Sequence, residues 1–226
     1  NGYEFVVEPL IYAREGRSNL KFHYVHNSGQ NRRIDPSKTN FIDVYLLTKT
    51  YDTEYRQWLA NGSGPEPLPV TSQSLEENYA GKLAAIKSIS DEIIFHPAKY
   101  KILFGSKAVP QLQAVFKAVK NPAKSVSETD IKTRILTAID DFFKIENWNF
   151  GQMFNFSELA TFVMNVMSPD IINFVIVPKS DAMFGNLYQI TCQSDEIFVN
   201  GATIADIKVI DSLTSAELKT ISTIAS

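Results

Sequence analysis

Clustered and alternating apolar residues in the first third of the chain predict β-strands. YEFVVEPLIYA and NLKFHYVHN are rich in aromatic and β-branched residues, and the turn-like EGRS separates them. FIDVYLLTK, residues 41–49, is a further strand candidate that is mostly apolar. Residues 61–70 contain three prolines and two glycines. Because these residues cannot continue a helix or an inner strand, we interpret the segment as a linker.

Apolar residues at helical spacing follow this linker. Ser74 and Glu77 match a capping box, in which each side chain satisfies a free backbone N–H at the helix start. The apolar residues behind it share one helical face: Leu75, Tyr79, Leu83 and Ile86. We therefore predict a helix that is capped by Ser74.

Two further amphipathic patterns lie in the second half of the chain. Ser127 with Asp130 caps a predicted helix whose apolar stripe consists of Ile131, Ile135, Ile139 and Phe142. Ser157 caps a second predicted helix, whose apolar residues are Leu159, Phe162, Val163, Val166 and Met167. Ser168-Pro169 ends this helix, and the apolar run 172–179 predicts a buried strand. We expect the two helices to cover one face of a sheet.

Short strand candidates complete the pattern. DEIIF and KYKILF flank a His96-Pro97 step, which we expect to form a structural turn between two strands. LYQITC, EIFV and DIKVID predict three C-terminal strands, with Asn200-Gly201 as a turn after the second. Thr214 with Glu217 caps a last short helix, which carries Leu218, Ile221 and Ile224. These elements predict an α+β fold with mixed or antiparallel sheets, two or three helices packed on one face and a C-terminal β-meander.

One segment, PQLQAVFKAVKNP at residues 110–122, fits two structures. A helix would place Leu112, Val115, Phe116 and Val119 on one face. A strand would instead align Leu112, Ala114, Phe116 and Ala118. Periodicity alone leaves both structures open.

The aromatic corner, WNFGQMF at residues 148–154, lies between the two best helix candidates. Trp148, Phe150, Gly151 and Phe154 could form a ligand pocket, a membrane contact or a packed corner. A membrane contact needs flanking Lys or Arg, and a pocket needs convergent polar groups. Acidic and amide residues flank Trp148 instead, and Gly151 permits a sharp turn. The pattern favours a structural corner that locks two helices onto a sheet.

Composition narrows the classes of function. The chain has 226 residues, 44% of them hydrophobic, and a net charge of −3, so it has no basic field that would attract nucleic acid or an anionic membrane. No apolar run is long enough for a membrane-spanning helix. Cys192 is the single cysteine, which excludes an internal disulfide and favours a reducing compartment. The start lacks an initiator Met and a signal peptide, so we expect a fragment of a longer protein.

Few residues offer catalytic or ligand-binding chemistry. His23 and His26 would point to opposite faces of a strand and could not share a metal ion. No basic residue next to Cys192 in sequence would activate its thiol. Asp140 and Asp141 are adjacent on a predicted helix, where neighbouring side chains point in different directions, so we do not expect them to form a catalytic pair. Phosphate-binding, dinucleotide-binding, zinc-protease and serine-hydrolase motifs are missing from the sequence. We predict that the protein is not an enzyme and holds no cofactor and no metal.

The order of these elements resembles the baseplate-J-like proteins of contractile phage tails. The matching features are a strand around an H-P-x-x-Y step, a capped helix ending in a Trp, a Gly, a Ser-capped second helix and an apolar strand. They correspond here to His96, Pro97, Tyr100, Trp148, Gly151, Ser157 and residues 172–177. The C-terminal LYQITCQSDEIFVNGATIADIKVID is similar to the large baseplate wedge subunits of T4-like bacteriophages. The resemblance covers roughly residues 41–211, and it implies that residues 110–122 form a strand.

The resemblance implies a structural role in a virion. The protein would build the inner ring of a tail baseplate by contacting itself and other wedge proteins, after assembly in the host cytoplasm. It also implies three parts: an N-terminal β segment 1–60, a baseplate-J-like domain 74–180, and a C-terminal meander with a short helix 181–226. The alternative is a tail-associated hydrolase or lyase that cleaves a polymer, which would need paired Asp or Glu facing a groove.

Self-association is expected to produce a symmetric homodimer. Two surfaces are candidates for the contact. One is the stripe of Leu218, Ile221 and Ile224, on a helix too short to fold without docking. The other is an unpaired edge of the N-terminal β segment. We favour the C-terminal stripe as the interface.

Overall fold

The structure, a computed structural model, describes residues 4–6, 10–11, 19–21, 23–25, 41–81, 92–179, 189–216 and 218. The chain forms two compact units, Asn1–Lys99 and Tyr100–Ser226. Helices and mixed or antiparallel sheets occur together, which confirms the predicted α+β class. The three-part domain division stays a prediction.

In its described residues, the first unit combines short strands with two helices. Its strands are β1 Glu4–Val6, β2 Leu10–Ile11, β3 Asn19–Lys21, β4 His23–Val25, β5 Phe41–Leu46 and β6 Glu92–Pro97. Its helices are α1 Lys49–Asn61 and α2 Ser72–Tyr79. A four-stranded sheet has the order β2-β3-β5-β6, in which β5 and β6 are parallel, and β1 pairs with β4 separately.

The core of the first unit lies between α2 and one face of the β5–β6 pair. Val44 and Leu46 of β5 join Phe95 of β6 and Leu75 of α2 in one buried cluster. Val70 packs against this cluster just before α2 begins. Because side chains alternate along a strand, every second residue of β5 faces α2 and the others face away from it.

Helix α1 was not predicted from the sequence, which assigned its first residue to a strand and its last residue to the linker. Thr48 caps it by accepting a hydrogen bond from the N–H of Tyr51. Tyr51 and Tyr55 are buried, and Trp58 packs against Tyr55. The spacing i, i+4, i+7 of these three aromatic residues was the available signal.

The second unit contains the remaining elements. Its strands are β7 Lys99–Leu103, β8 Ala114–Lys120, β9 Met153–Asn155, β10 Ile171–Pro178, β11 Gln189–Thr191, β12 Glu196–Asn200 and β13 Ile207–Ile210; β7 begins one residue before the division. Its helices are α3 Glu128–Phe142 and α4 Phe156–Met167. Short 3-10 turns cover Pro110–Leu112, Ile145–Asn147 and Ile204–Asp206.

A three-stranded sheet with the order β10-β8-β13 supports the two helices of the second unit. β10 is antiparallel to β8, and β13 is parallel to it. α3 contacts β13, α4 contacts β10, and the helices contact each other. The ambiguous segment 110–122 therefore contains a strand, whose residues from Ala114 to Val119 are all buried. Full burial explains why its periodicity could not distinguish a strand from a helix.

The C-terminal strands pair differently from a meander. β11 pairs with β9, β12 with β7, and β13 with β8, so each joins an element far earlier in the sequence. The region is rich in strands as predicted, but among the described residues β11 and β12 each form a two-stranded sheet with an earlier strand, and β13 joins the three-stranded sheet. The predicted last helix lies mostly outside the described residues, where only residues 215, 216 and 218 beyond Thr214 are described.

Two predicted helix caps are wrong. α2 begins at Ser72, because Thr71 caps it by accepting from the N–H of Ser74 at 3.2 Å. α4 begins at Phe156, so Ser157 is already inside the first turn. Its cap position is Asn155, whose side-chain amide donates to Glu158 Oε1. In α4 the buried Phe156 starts the helix directly after β9, ahead of the serine.

Two strand predictions also need correction. The His96-Pro97 step does not form a turn, since β6 continues through Pro97, which lies opposite Leu46. A proline fits there because β6 is the last strand in the described sheet order. β10 is only partly buried because it stands at one end of its sheet, and Ile172 is 56% exposed.

Candidate functional site

The aromatic corner packs into the interior of the second unit. Trp148 is 3% exposed, and its indole stacks on Phe143 with ring centroids 5.5 Å apart. The edge contact with Phe198 of β12 has a centroid distance of 5.2 Å. Trp148 Nε1 donates to the carbonyl oxygen of Phe142 at 2.8 Å, so its polar atom is satisfied. These contacts involve the end of α3 and the strand β12.

Gly151 and the two phenylalanines of the corner occupy different environments. Gly151 has φ +70°, in the left-handed region that favours glycine, and its N–H donates to Glu196 O. Phe154 is fully buried, whereas Phe150 is half-buried. The corner thus contributes two buried rings, Trp148 and Phe154, and one turn.

A network of ring contacts extends from this corner to the central sheet. Phe154 contacts Phe104, which contacts Phe116 of β8, which stacks on Phe174 of β10. Phe104 has φ +66° although it is not glycine, and Gly105 follows with φ +68°. A Cβ atom on Gly105 would overlap the carbonyl oxygen of Gly201. Two backbone segments therefore meet at this point with no room for a side chain.

A carboxylate and a histidine form a close pair in the first unit. His96 Nε2 lies 2.8 Å from Asp43 Oδ1, and the His96 ring stacks on Tyr45 with centroids 4.8 Å apart. Asp43 and Tyr45 alternate with core residues on β5, so they lie on the sheet face turned away from α2. This pair was not predicted from the sequence. The alternation of polar and apolar residues along β5 was the signal that could have indicated it.

Ion pairs in the second unit tie loops to secondary structure. Arg134 of α3 donates to Asp170 in the turn before β10 at 2.6 Å, and it also contacts Asp130. The hydrogen bond to Asp170 raises the pKa of Arg134, and its charge adds to the effect. Lys179, just after β10, contacts Asp206 at 3.0 Å. Asp206 also accepts from Thr203 in a capping box.

The thiol of Cys192 is buried. Burial raises its pKa from 9.0 to about 12, and this effect is larger than that of the positive charge of Lys101, which lowers the pKa. Lys101 itself donates to the carbonyl oxygen of Thr191 and contacts Glu196. The thiol therefore stays protonated at neutral pH, and a protonated thiol is a poor nucleophile.

The described part of the chain offers no metal site and no membrane-spanning helix. Among those residues, no group of three or more His, Cys, Asp or Glu side chains could hold a metal ion. None of the helices described there is long and apolar enough to cross a membrane. The backbone of His23 lies in β4, but its side chain and all of His26 lie outside the described residues, so their predicted divergence stays a prediction.

The predicted interface residues are described only in part. Leu218 is 54% exposed, whereas Ile221 and Ile224 lie outside the described residues. The edge strand β10 is a further exposed apolar element, because it carries no charged residue from Ile171 to Pro178. Such an edge can pair with a strand of another molecule.

Comparisons with known proteins give no family assignment. No model of a known protein family matches the chain, and no curated protein sequence matches it. The structure shows a buried aromatic core, ion pairs that join turns to helices and strands, and exposed apolar residues at the surface.

Proposed function

We propose that this chain is a structural component of a bacteriophage tail baseplate wedge, located in the virion. The observation that carries the proposal is the order of elements in the second unit. β7 leads through β8 to the capped helix α3, the corner of Trp148 and Gly151, the helix α4 and the strand β10. It agrees with the order behind the resemblance to baseplate-J-like proteins from Tyr100 onward, although His96 and Pro97 lie in β6 of the first unit and Ser157 does not cap α4. In this proposal the chain is not an enzyme.

The packing of the second unit supports a mechanical role. A scaffold subunit must transmit force between neighbours without deforming, and closely packed interiors resist deformation. Aromatic rings from α3, β8, β9, β10 and β12 form one connected network around Phe154 and Phe104. Arg134 additionally fixes the turn between α4 and β10 through Asp170.

Ring building requires the subunit to contact copies of itself and other wedge proteins. We propose a two-fold homodimer, since a self-complementary patch is the simplest closed arrangement. The exposed side chain of Leu218 supports the C-terminal stripe as the interface. The uncharged edge of β10 offers an alternative, in which two copies would extend their sheets across the contact.

Sedimentation of the purified chain over a wide concentration range tests the self-association. We expect a monomer–dimer equilibrium, and a strict monomer at every concentration would contradict that part of the proposal. The baseplate role is tested by immunogold labelling of phage particles from the source with an antibody against this chain. Labelling confined to the tail tip is expected, whereas label on the capsid, or none on intact and disrupted particles, would overturn the assignment.

A further inference from the structure

The sequence contains three Asn-Gly dipeptides, of which Asn61-Gly62 and Asn200-Gly201 lie in the described residues. Asparagine is a thermolabile residue. A glycine after it increases its reactivity, because no side chain shields the glycine nitrogen, which can attack the side-chain amide carbon of the asparagine. The attack needs a mobile asparagine side chain and a glycine N–H that is released from its hydrogen bond. The two dipeptides differ in both respects.

Hydrogen bonds hold the reacting groups of Asn200-Gly201 in place. Asn200 Nδ2 donates to Asp140 Oδ1 at 2.7 Å, and Asn200 Oδ1 accepts from the N–H of Ala202 at 2.9 Å. The N–H of Gly201 donates to Leu103 O at 2.8 Å. Ring closure at Asn200 would have to break these bonds.

The backbone around Gly201 is also closely packed. A Cβ atom added to Gly201 would lie 2.5 Å from Ile102 Cγ2 and 2.9 Å from Phe104 O. Asn200 itself is half-buried at the end of β12, which pairs with β7. Formation of a new ring at this point therefore requires local unfolding of the contact between the two strands, and such openings are rare in packed regions.

Asn61-Gly62 lies at the exposed end of α1. Both residues are exposed, and the Asn61 side chain makes no hydrogen bond to any described residue. A Cβ atom added to Gly62 would meet no atom within 4 Å, so a new ring has room. The bond that opposes ring closure runs from the N–H of Gly62 to Trp58 O at 3.1 Å. It closes the last turn of the helix, and helix ends open more readily than packed interiors.

We propose that Asn61 is a site of spontaneous deamidation and that the fold protects Asn200 from the same reaction. The nitrogen of Gly62 forms a bond to Asn61 Cγ, and the bond from Cγ to the amide nitrogen breaks. The proton of the Gly62 N–H passes through the solvent to this amide nitrogen, which leaves as ammonia. Water then adds to one of the two carbonyl carbons of the resulting succinimide and opens it to an aspartyl or an isoaspartyl residue. The reaction needs no oxidant and no reductant.

The product changes the end of α1 in two ways. Deamidation adds a negative charge where the helix dipole is already negative, and the last turn of α1 contains no basic residue to compensate it. An isoaspartyl residue also lengthens the backbone by a methylene group directly before Gly62, which caps the helix. Both changes should weaken the hydrogen bond from Trp58 Nε1 to Gly64 O, which joins the helix to the following loop. The end of α1 should therefore loosen as the protein ages.

Peptide mapping of the purified chain during incubation in mildly alkaline buffer tests the proposal. Mass spectrometry measures conversion at Asn61 and Asn200, and labelling with an isoaspartyl methyltransferase detects the isoaspartyl product. We expect conversion at Asn61 to be at least about tenfold faster than at Asn200, because closure at Asn200 requires the larger local opening. In urea the two rates should be similar, since each asparagine precedes a glycine. Equal rates in the native protein, or conversion at Asn61 only after unfolding, would overturn the proposal.

Two variants assign the conversion to these residues and contacts. Asn61→Gln should abolish the signal from its peptide, because the longer side chain closes a ring more slowly, and a persisting signal would refute Asn61 as the site. Asp140→Ala removes the acceptor of Asn200 Nδ2, and Asp140 is exposed, so the fold should persist. The rate at Asn200 should then rise while the rate at Asn61 stays the same. An unchanged rate at Asn200 in the folded variant, as checked by circular dichroism, would contradict the protection ascribed to this contact.

Discussion

The indole of Trp148 lies nearly parallel to the ring of Phe143, at an interplanar angle of 13°. Phe143 follows directly on the last residue of α3, and Trp148 follows the short 3-10 turn behind it. The stack therefore folds the chain back on itself at the end of the helix. The hydrogen bond from Trp148 Nε1 to Phe142 O closes this fold-back and satisfies a carbonyl near the helix end.

Replacing this indole should weaken the second unit strongly. Trp148→Ala is expected to lower the free energy of unfolding by about 3–5 kcal/mol, the range for deleting a large buried aromatic side chain. Urea denaturation followed by circular dichroism measures the change. Trp58→Ala is the matched control, because Trp58 is only half-buried and should have a smaller effect. A loss for Trp148→Ala within the error of the measurement would mean that the corner does not stabilise the unit.

Local signals in the sequence were sufficient for α3. Ser127 caps this helix by accepting from the N–H of Asp130, as predicted, and Ile131, Ile135 and Ile139 are buried. Capping and periodicity depend on residues a few positions apart, so a single sequence contains them. The predicted cap of α4 was wrong because both Asn155 and Ser157 are residue types that cap helices. The helix begins at the buried Phe156, which places Asn155 at the cap position.

The pairing of strands that are distant in sequence could not be predicted from such local signals. β13 lies parallel to β8, with Ile207 opposite Phe116, although about ninety residues separate them. Nothing local to DIKVID specifies this partner, and a meander was the simpler expectation. The contact between Asp43 and His96 depends likewise on the register of β5 against β6. Such sites become visible only when the strand pairing is known.

The backbone at Gly105 lies so close to the backbone at Gly201 that no side chain should fit at position 105. Gly105→Ala is expected to cost at least about 3 kcal/mol, because overlap with Gly201 O adds to the left-handed strain. Gly151→Ala is the control: its φ is similar, but an added Cβ would lie 3.5 Å from Ser194 Cα, an ordinary contact. That variant should lose only about 1–2 kcal/mol. Equal stabilities in urea denaturation would contradict this account.

Cys192 should resist alkylation in the folded protein. With its pKa raised from 9.0 to about 12, its thiolate fraction at pH 8 should be about a thousandfold smaller than in the unfolded chain. Mass spectrometry after iodoacetamide treatment, with and without urea, measures the two rates. Rapid labelling of the native protein would show that the thiol is accessible and ionised.

The same raised pKa predicts a dependence of stability on alkaline pH. Below pH 9 the thiol is protonated in both the folded and the unfolded chain, so it has no effect on stability. Between pH 9 and about 12 the unfolded thiol ionises while the folded one stays neutral, so stability should fall as the pH rises. Cys192→Ala should show a smaller fall than wild type over this range. Identical pH profiles would exclude a contribution from this group.

Single substitutions can decide between the predicted C-terminal interface and the edge of β10, which the structure adds as a candidate. Leu218 is exposed, so Leu218→Glu should leave the fold intact while placing a charge in the proposed C-terminal interface. We expect the dissociation constant of the dimer to rise about tenfold or more, as for loss of a central apolar contact. Removing all residues after Asp211 should have the same effect or a larger one. Sedimentation gives the constants, and circular dichroism checks that the helices and strands persist.

Ile172→Lys is the matched variant on the edge of β10. A lysine there would oppose pairing between two sheet edges, because charged side chains on edge strands block the approach of another strand. Since we favour the C-terminal surface, this variant should dimerise as wild type does. If Ile172→Lys abolishes the dimer while Leu218→Glu does not, the interface is the sheet edge, and two copies join their β10 strands. The dimer would then be built from the strand next to α4, and the C-terminal residues would be available for contacts with other proteins.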